Sequence, residues 1–234
     1  QPQVGALIDP GNVFARDLVS CASFATSRAD LADVGRNFNG SVIVGTTPSP
    51  LGVGLKTDAS GAYLTRSTAL SLAAGDDYTA VFAVANVAFN GTNPGVWRSV
   101  ATSDFNIFQG TTGRPWIRVN SSDVLKPASG AGLTAGQNYV MAFRVRSGKD
   151  ATFAVNGGIL HTATHAIATI AQTILNIGFQ STSGEALSGT YCLSAFWKRG
   201  LSDAGLCRIT ANPWQMFTPP PRRLWPSASG GAAA

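Results

Sequence analysis

A long succession of short β-type segments constrains the fold of this 234-residue chain more than any other feature. From residue 19 onward, stretches rich in β-branched and aromatic residues alternate with turns of Gly, Asn, Asp and Ser; examples are "SVIVG", "YTAVFAVANVAF", "NYVMAFRVRS" and "GTYCLSAFWKRG". Segments of this length and spacing predict an antiparallel sandwich or barrel. No internal repeat or long linker interrupts the run, so we expect an N-terminal arm (1–18), one domain (19–217) and an extended C-terminal strip and tail (218–234).

The segment "MAFRVRS" shows a clear two-residue alternation. Successive side chains of a strand point to opposite faces of a sheet. Met141, Phe143 and Val145 therefore lie on one face, and Arg144 and Arg146 on the other. This pattern predicts a strand with one side facing solvent or a partner.

Two further motifs fall in the next segments. Asn156-Gly157, between "ATFAV" and "ILHTAT", predicts a hairpin, because this dipeptide accepts the positive φ angles of a type I′ turn. His161 and His165 have the spacing of a helical zinc pair, but in a strand four residues span about 13 Å and the two rings cannot share one ion. We therefore expect exposed or hydrogen-bonded histidines.

The stretch "LSDAGLCRITANPWQMF" predicts the only helix, from about Asp203 to Ala211. Ser202 is a suitable N-cap, and Leu201 and Leu206 are spaced for a hydrophobic staple. Asn212-Pro213 ends the helix. We expect this ending to close one end of the sandwich as a structural anchor. The anchoring residues are Leu206, Ile209, Trp214 and Phe217.

The composition indicates an uncharged, hydroxyl-rich surface. Charged residues make up 12% of the chain and hydrophobic residues 44%, and Ser and Thr number 21 each. The net charge of +5 arises from 17 basic against 12 acidic residues, with no basic run of the kind that follows nucleic acid. No apolar run reaches about 18 residues, so we expect neither nucleic-acid nor membrane binding. Cys21, Cys192 and Cys207 predict buried free thiols or at most one disulfide.

Catalytic motifs are missing from the sequence. Glycoside hydrolysis usually requires two carboxyl groups about 5 to 10 Å apart, and Glu185 is the only Glu. The adjacent Asp76 and Asp77 predict a turn or cap. There is no G-x-S-x-G elbow and no Walker loop. We therefore expect no enzymatic activity, no cofactor, no catalytic residue and no metal ligand, although a calcium site built from scattered Asp and Asn oxygens stays open.

Two surfaces are candidates for binding. Arg114, Trp116 and Arg118 share one face of "RPWIRVN" and, with Arg144 and Arg146, predict a glycan- or partner-binding surface; the alternative is a tryptophan that is buried or shielded by arginine stems. In "TPPPRRLWP", three prolines impose an extended conformation that displays polar and aromatic side chains, unless the strip packs across its own domain. Its partner-binding residues would be Pro219, Pro220, Pro221, Arg222, Arg223 and Trp225.

In order along the chain, "GVGLKTDASGAYLT", "GDDYTAVFAVA", "YVMAFRVRSGKDATFAVNG" and "LSGTYCLSAFWKRGLSDAGL" resemble the LamG-type, concanavalin A-like jelly roll over roughly residues 18–217. "LSDAGLCRITANPWQMF" followed by "PRRLW" resembles the endings of jelly-roll proteins of tailed bacteriophages and prophages. The family's calcium ligands and glucanase glutamates have no matching positions here. The resemblance therefore implies an all-β sandwich without either function.

These observations lead to two hypotheses. The first is a non-enzymatic virion protein at the particle surface: a capsid decoration or cement protein, or a head fibre. It would be homo-oligomeric and bind the major capsid protein or other virion proteins through its arms. The alternative is a lectin-like module that attaches a particle to bacterial surface polysaccharide through Trp116 and its neighbours.

Overall fold

The computed structural model describes residues 7–24, 31–32, 38–40, 46–57, 64–90, 94–99, 105–109, 112–177 and 187–218. Within them the chain forms one α-helix, α1 (Asp203–Ala211), one 3-10 turn (Pro213–Met216) and seventeen strands. The strands are β1 (Leu7–Ile8), β2 (Leu18–Ser23), β3 (Phe38–Gly40), β4 (Thr46–Ser49), β5 (Gly52–Thr57), β6 (Leu64–Leu72), β7 (Tyr78–Phe89), β8 (Gly95–Ser99), β9 (Phe105–Gln109), β10 (Arg114–Val119), β11 (Ser122–Leu125), β12 (Tyr139–Arg146), β13 (Asp150–Val155), β14 (Gly158–Thr164), β15 (Gln172–Ile177), β16 (Leu187–Trp197) and β17 (Phe217–Thr218).

The strands form two large antiparallel sheets. The seven-stranded sheet has the order β11-β10-β9-β8-β15-β6-β3, and the eight-stranded sheet has the order β14-β13-β12-β7-β16-β5-β4, with β2 also paired to β16. Neighbours in these orders are often far apart in sequence, as in a jelly roll. The expected all-β sandwich is confirmed.

The inner core lies between the two sheets. Strand β7 is buried from Tyr78 to Ala85, and its alternate residues Phe82 and Val84 point inward. Phe143 of β12 and Phe153 of β13 are fully buried there, with ring centroids 4.9 Å apart. Phe108 contributes from the opposite sheet, with its ring centroid 5.8 Å from that of Phe143. The aromatic rings therefore join the two layers.

A second core covers the outer face of the eight-stranded sheet. The outward residues of β7, Val81 and Ala83, pack in one cluster with Leu206 and Ile209 of α1. The helix contacts β12, β13 and β14. The expectation that the helix closes the end of the sandwich is therefore wrong: the outward face of this sheet is itself apolar and needs a cover.

The local prediction of the helix is confirmed, with the expected bounds Asp203–Ala211. The Ser202 side chain accepts a hydrogen bond from the Gly205 amide over 3.1 Å, which satisfies one of the free amides of the first turn. Leu206 and Ile209 are fully buried. Trp214 and Phe217 pack on the same second core after the 3-10 turn.

Residues 7–18, expected to form an arm, lie against the domain. Strand β1 pairs with β17, with Leu7 opposite Thr218. Phe14 is buried in the second core, and its carbonyl accepts a hydrogen bond from the Trp197 indole over 2.6 Å. Residues 1–6 and 219–234 lie outside the described residues.

The hairpin between β13 and β14 is confirmed. Asn156 and Gly157 have φ angles of 47° and 90°, as a type I′ turn requires. In the part of the chain that the structure describes, no helix has both the length and the apolar character needed to cross a membrane.

Candidate functional site

Arg144 does not contribute to a surface. Its side chain points to the outer face of the eight-stranded sheet, as the alternation predicts, but it is only 1% exposed because α1 lies over it. The prediction of a solvent- or partner-facing Arg144 is corrected accordingly. Arg146, two residues along β12, keeps 37% of its side chain exposed at the rim.

A buried ion-pair network surrounds Arg144. Its guanidinium donates to the Leu201 carbonyl, to Thr152 Oγ1 and to the carboxylates of Asp150 and Asp203, at 2.6 to 3.2 Å. Burial alone would raise the pKa of Asp150, but hydrogen bonds and charges from Arg146 and Arg144 outweigh that effect and hold the pKa below its ordinary value. The network holds the start of α1 on the sheet.

The predicted face of β10 does point outward. Burial alternates along the strand, with Pro115, Ile117 and Val119 buried and the residues between them half-buried. Arg114, Trp116 and Arg118 therefore share the outer face of the seven-stranded sheet. Because β10 lies next to the edge strand β11, these side chains stand near one edge of the sandwich.

The β10–β11 hairpin brings two more charged residues to this face. A two-residue turn joins the strands, and both of its residues, Asn120 and Ser121, have positive φ angles. The register shifts after Ile117, so that Arg118 faces Asp123. Because of this shift, Val124 and Leu125 are both buried. Asp123, which precedes them, and Lys126, which follows them, are exposed.

Trp116 lies at the centre of this charged group. Its indole Nε1 donates to Asp123 Oδ1 over 2.7 Å, and the Lys126 ammonium lies 3.5 Å from the ring centroid. The Arg118 guanidinium lies 5.4 Å from the same centroid, and its Nε is 3.3 Å from Asp123 Oδ1. Lys126 Nζ is 3.5 Å from the other oxygen of that carboxylate. We call Arg114, Trp116, Arg118, Asp123 and Lys126 the Trp116 face.

The loop that follows Lys126 is held against β10. Arg114 donates to the Ala128 carbonyl, and Gln109 Nε2 donates to the Pro127 carbonyl over 3.0 Å. The Leu133 amide donates to the Gly113 carbonyl over 2.9 Å. Gly113 has a φ of 61°, and a Cβ atom there would collide with the Leu133 backbone. The Trp116 face is therefore built on fixed backbone.

Asp123 and Lys126 were not among the residues predicted from the sequence. Asn120 and Ser121, between "RPWIRV" and "SDVL", are turn-forming residue types, which are a weaker signal than Asn-Gly for a hairpin that brings β11 beside β10. The register shift has no such signal, because a strict alternation through "SDVLK" would place Asp123 and Leu125 on one face.

Other candidate groups serve local structure. Asp76 accepts from the Ala73 amide and Asp77 from the Ser147 amide, each over 2.8 Å, as the prediction of caps requires. His161 contacts the Ala131 carbonyl over 2.7 Å. Among the residues that the structure describes, no three His, Cys, Asp or Glu side chains form a possible metal site. None of the three cysteines forms a disulfide, and Cys21 and Cys192 are buried. The predicted strip at Pro219, Pro220, Pro221, Arg222, Arg223 and Trp225 lies outside the described residues.

Comparison with known proteins identifies the fold. No protein-family model and no curated protein sequence matches the chain. Domain 4 of AbnA, a GH43 extracellular arabinanase from Geobacillus stearothermophilus in complex with arabinotriose, is similar with a TM-score of 0.65 and 12% identity, over 83% of this chain and 98% of that domain.

Two further structures match over shorter parts of their own length. The binding domain of Paraclostridial Mosquitocidal Protein 1 has a TM-score of 0.61 at 11% identity, covering 86% of this chain and 53% of that one. Trypanosoma rangeli sialidase, in complex with 2,3-difluoro-KDN, has a TM-score of 0.60 at 13% identity, covering 92% of this chain and 36% of that one. This chain thus spans about half of the first and about a third of the second. The likeness shows a β-sandwich of the jelly-roll class.

Proposed function

We propose that this chain is a non-enzymatic carbohydrate-binding module that contacts its glycan through the Trp116 face. The observation that carries the proposal is the position of Trp116: a half-buried indole on the outer face of the sheet, fixed through Nε1 by Asp123 and surrounded by cationic hydrogen-bond donors. Sugar recognition uses this combination, because an aromatic ring packs on the apolar face of a pyranose while polar groups bind its hydroxyls.

The fixed backbone of the site supports the proposal. A ring that is already held by a hydrogen bond loses little side-chain entropy when a ligand binds. The similar arabinanase domain, which this chain matches over 98% of its length, is in complex with arabinotriose. Fold likeness alone does not determine function, so this complex supports the proposal only together with the Trp116 face.

The carboxyl groups of the Trp116 face favour binding over catalysis. Glycoside hydrolysis usually requires two carboxyl groups about 5 to 10 Å apart. Among the five residues of the Trp116 face, Asp123 alone carries a carboxyl group, and it already contacts Arg118, Lys126 and the indole Nε1. The proposed module therefore holds its ligand without cleaving it.

The test measures binding to a panel of immobilised plant and bacterial polysaccharides, for the wild type and for Trp116→Ala. We expect the substitution to weaken binding at least about tenfold, since it removes the aromatic contact. Trp116→Phe, which keeps a ring but loses the Nε1 anchor, should retain part of the affinity. Trp214→Phe is the matched control, because Trp214 packs on the second core. Unchanged binding by Trp116→Ala would exclude this face.

A second function, a decoration or cement protein of a phage particle, is favoured by the exposed apolar residue of the β1–β17 pair. Leu7 of β1 lies opposite Thr218 of β17. Leu7 is 69% exposed, and an apolar side chain exposed on a paired strand suits contact with another subunit. Deletion of residues 219–234 should leave a folded protein that no longer binds capsids; full binding by the truncated protein would reject this role.

A further inference from the structure

We propose that the saccharide recognised by the Trp116 face is acidic, carrying carboxylates of the uronic-acid type. This inference rests on the proposed carbohydrate binding and specifies its ligand class. The groups that argue for it are the three cations of the face and the contact between Lys126 and the indole ring.

The charge balance of the face is positive. Arg114, Arg118 and Lys126 stand against the single carboxylate of Asp123, which leaves a formal excess of two positive charges. The acceptors that Arg114 contacts, Thr112 Oγ1 and the Ala128 carbonyl, are neutral. An anionic ligand can therefore supply the charge that the protein side of the face lacks.

The hydrogen-bonding groups of the Trp116 face also favour an anionic ligand. Guanidinium and ammonium groups donate hydrogen bonds and accept none, and the carboxylate of Asp123 is already engaged by Trp116, Arg118 and Lys126. The face therefore offers mainly donors. A planar carboxylate matches the fork of an arginine, and its charge-assisted hydrogen bonds are stronger than those to a neutral hydroxyl.

The position of Lys126 discriminates between ligand types. With its ammonium 3.5 Å from the ring centroid, Lys126 occupies one face of the Trp116 indole. A neutral sugar that stacks on this face of the ring must displace the ammonium. The cation–π contact between Lys126 and Trp116 is then lost, and a neutral sugar offers no charge that replaces it. A sugar with a carboxylate pairs with the displaced ammonium, so the exchange costs little. The contact thus disfavours neutral sugars and tolerates acidic ones.

The overall charge of the chain acts in the same direction at longer range. The net charge is +5, and only 12 of 234 residues are acidic. A positive protein attracts polyanions before contact, and this attraction weakens as salt screens it. Long-range attraction alone would be non-specific, so the experiment must separate it from recognition by the Trp116 face.

The experiment uses the full chain with chemically matched polysaccharide pairs: polygalacturonate, alginate and hyaluronate, each beside its carboxyl-reduced form. Affinities are measured at 150 mM salt, a condition of roughly 8 Å Debye length. We expect at least one acidic polymer to bind about tenfold more tightly than its reduced form, as an added charge-assisted contact implies. Lys126→Gln should bring the two forms of that pair to within about threefold.

Lys149→Gln is the matched control. It removes the same charge from the exposed turn between β12 and β13, in the other sheet. If this control loses the preference to the same extent, the preference arises from net charge and the inference is wrong. Equal binding of acidic and reduced forms in every pair also overturns the inference while carbohydrate binding stands. If neither form of any pair binds but the polysaccharide panel still shows binding that requires Trp116, the inference is wrong and carbohydrate binding stands. If the panel shows no such binding either, the proposed function fails with the inference.

Discussion

The Lys126 ammonium lies 3.5 Å from the centre of the Trp116 ring, while Asp123 receives the indole Nε1–H over 2.7 Å. The carboxylate of Asp123 therefore makes two contacts. It accepts a hydrogen bond from the edge of the indole, and it pairs with Lys126, whose ammonium covers the face of the ring and lies 3.5 Å from Asp123 Oδ2. Asp123 therefore sets both the orientation of the ring and the charge of the surface around it.

Asp123→Asn should strengthen the binding of whichever acidic polymer the wild type binds and leave stability nearly unchanged. The amide oxygen can still accept from the indole, but the positive excess of the face rises by one charge. Asp123 keeps 39% of its side chain exposed, and exposed ion pairs contribute at most about 1 kcal/mol. Urea unfolding and affinity measurements together test this; weaker binding in a protein of unchanged stability would contradict the charge argument.

Arg144→Met should destabilise the protein by about 3 kcal/mol, because breaking a buried ion pair leaves its partners unpaired. The Leu201 carbonyl loses this donor, Thr152 retains only Thr162, and Asp150 retains only Arg146. Arg146→Met is the matched control on the same strand. Its side chain is 37% exposed, and Asp150 keeps its contact with Arg144 when Arg146 is removed, so this substitution should cost less than Arg144→Met. Equal losses in the two variants, measured by urea unfolding, would argue against the network.

Stability should fall in acid as Asp150 takes up its proton. Its folded-state pKa is lower than the ordinary 3.8, so the stabilisation is fully present above pH 3.8 and is lost as the pH falls through the lower folded-state value. We expect Asp150→Asn to be less stable than the wild type at pH 7 and to lose less between pH 4 and pH 2. If the unfolding free energies of Asp150→Asn and the wild type fell equally between pH 4 and pH 2, Asp150 would not be a source of the loss of stability in acid.

Cys207 should be the only thiol that reacts quickly in the native protein. It is half-buried, whereas Cys21 and Cys192 are fully buried. Burial also raises the pKa of the Cys192 thiol, which lowers the reactive thiolate fraction. A thiol-specific dye should label one cysteine in buffer and three in denaturant, and Cys207→Ser should abolish the native labelling. Fast native labelling of Cys207→Ser would show that the second core opens.

The helix and the β13–β14 hairpin could be predicted from sequence because their determinants are local. Ser202 caps the helix start, and Asn156-Gly157 supplies the positive φ angles of the turn. Each signal lies within a few residues of its effect. The order of short strands predicted the sandwich for the same reason, since every strand carries its own pattern.

The surroundings of Arg144 could not be predicted, because they depend on a segment nearly sixty residues further along the chain. Alternation gave the direction of its side chain correctly. Tertiary packing decides whether a side chain that points this way meets solvent or α1. Here Arg144 contacts Leu201 and Asp203, which lie in the segment that follows β16. The place of the helix on the outer face was missed for the same reason.

The Trp116 face was found in part. The alternation of "RPWIRV" placed Arg114, Trp116 and Arg118 together, but the register shift in β11 that adds Asp123 and Lys126 is a non-local feature of strand pairing. Of the two residues that the sequence did not predict, Asp123 fixes the orientation of the indole and Lys126 places its ammonium over one face of the ring. Sequence therefore indicated an aromatic surface, and the structure adds its chemistry.

The most direct test is a titration of the ¹⁵N-labelled protein with oligosaccharides of galacturonate, mannuronate and hyaluronate, followed by heteronuclear NMR. Trp116→Phe assigns the indole resonance of Trp116 by its disappearance. We predict that at least one oligosaccharide shifts this resonance and the amides of β10 and β11, while the amides of α1 stay in place. Shifts confined to the cleft beside α1, which Phe14, Arg199 and Arg208 line, or no shift with any of the three, would contradict the account.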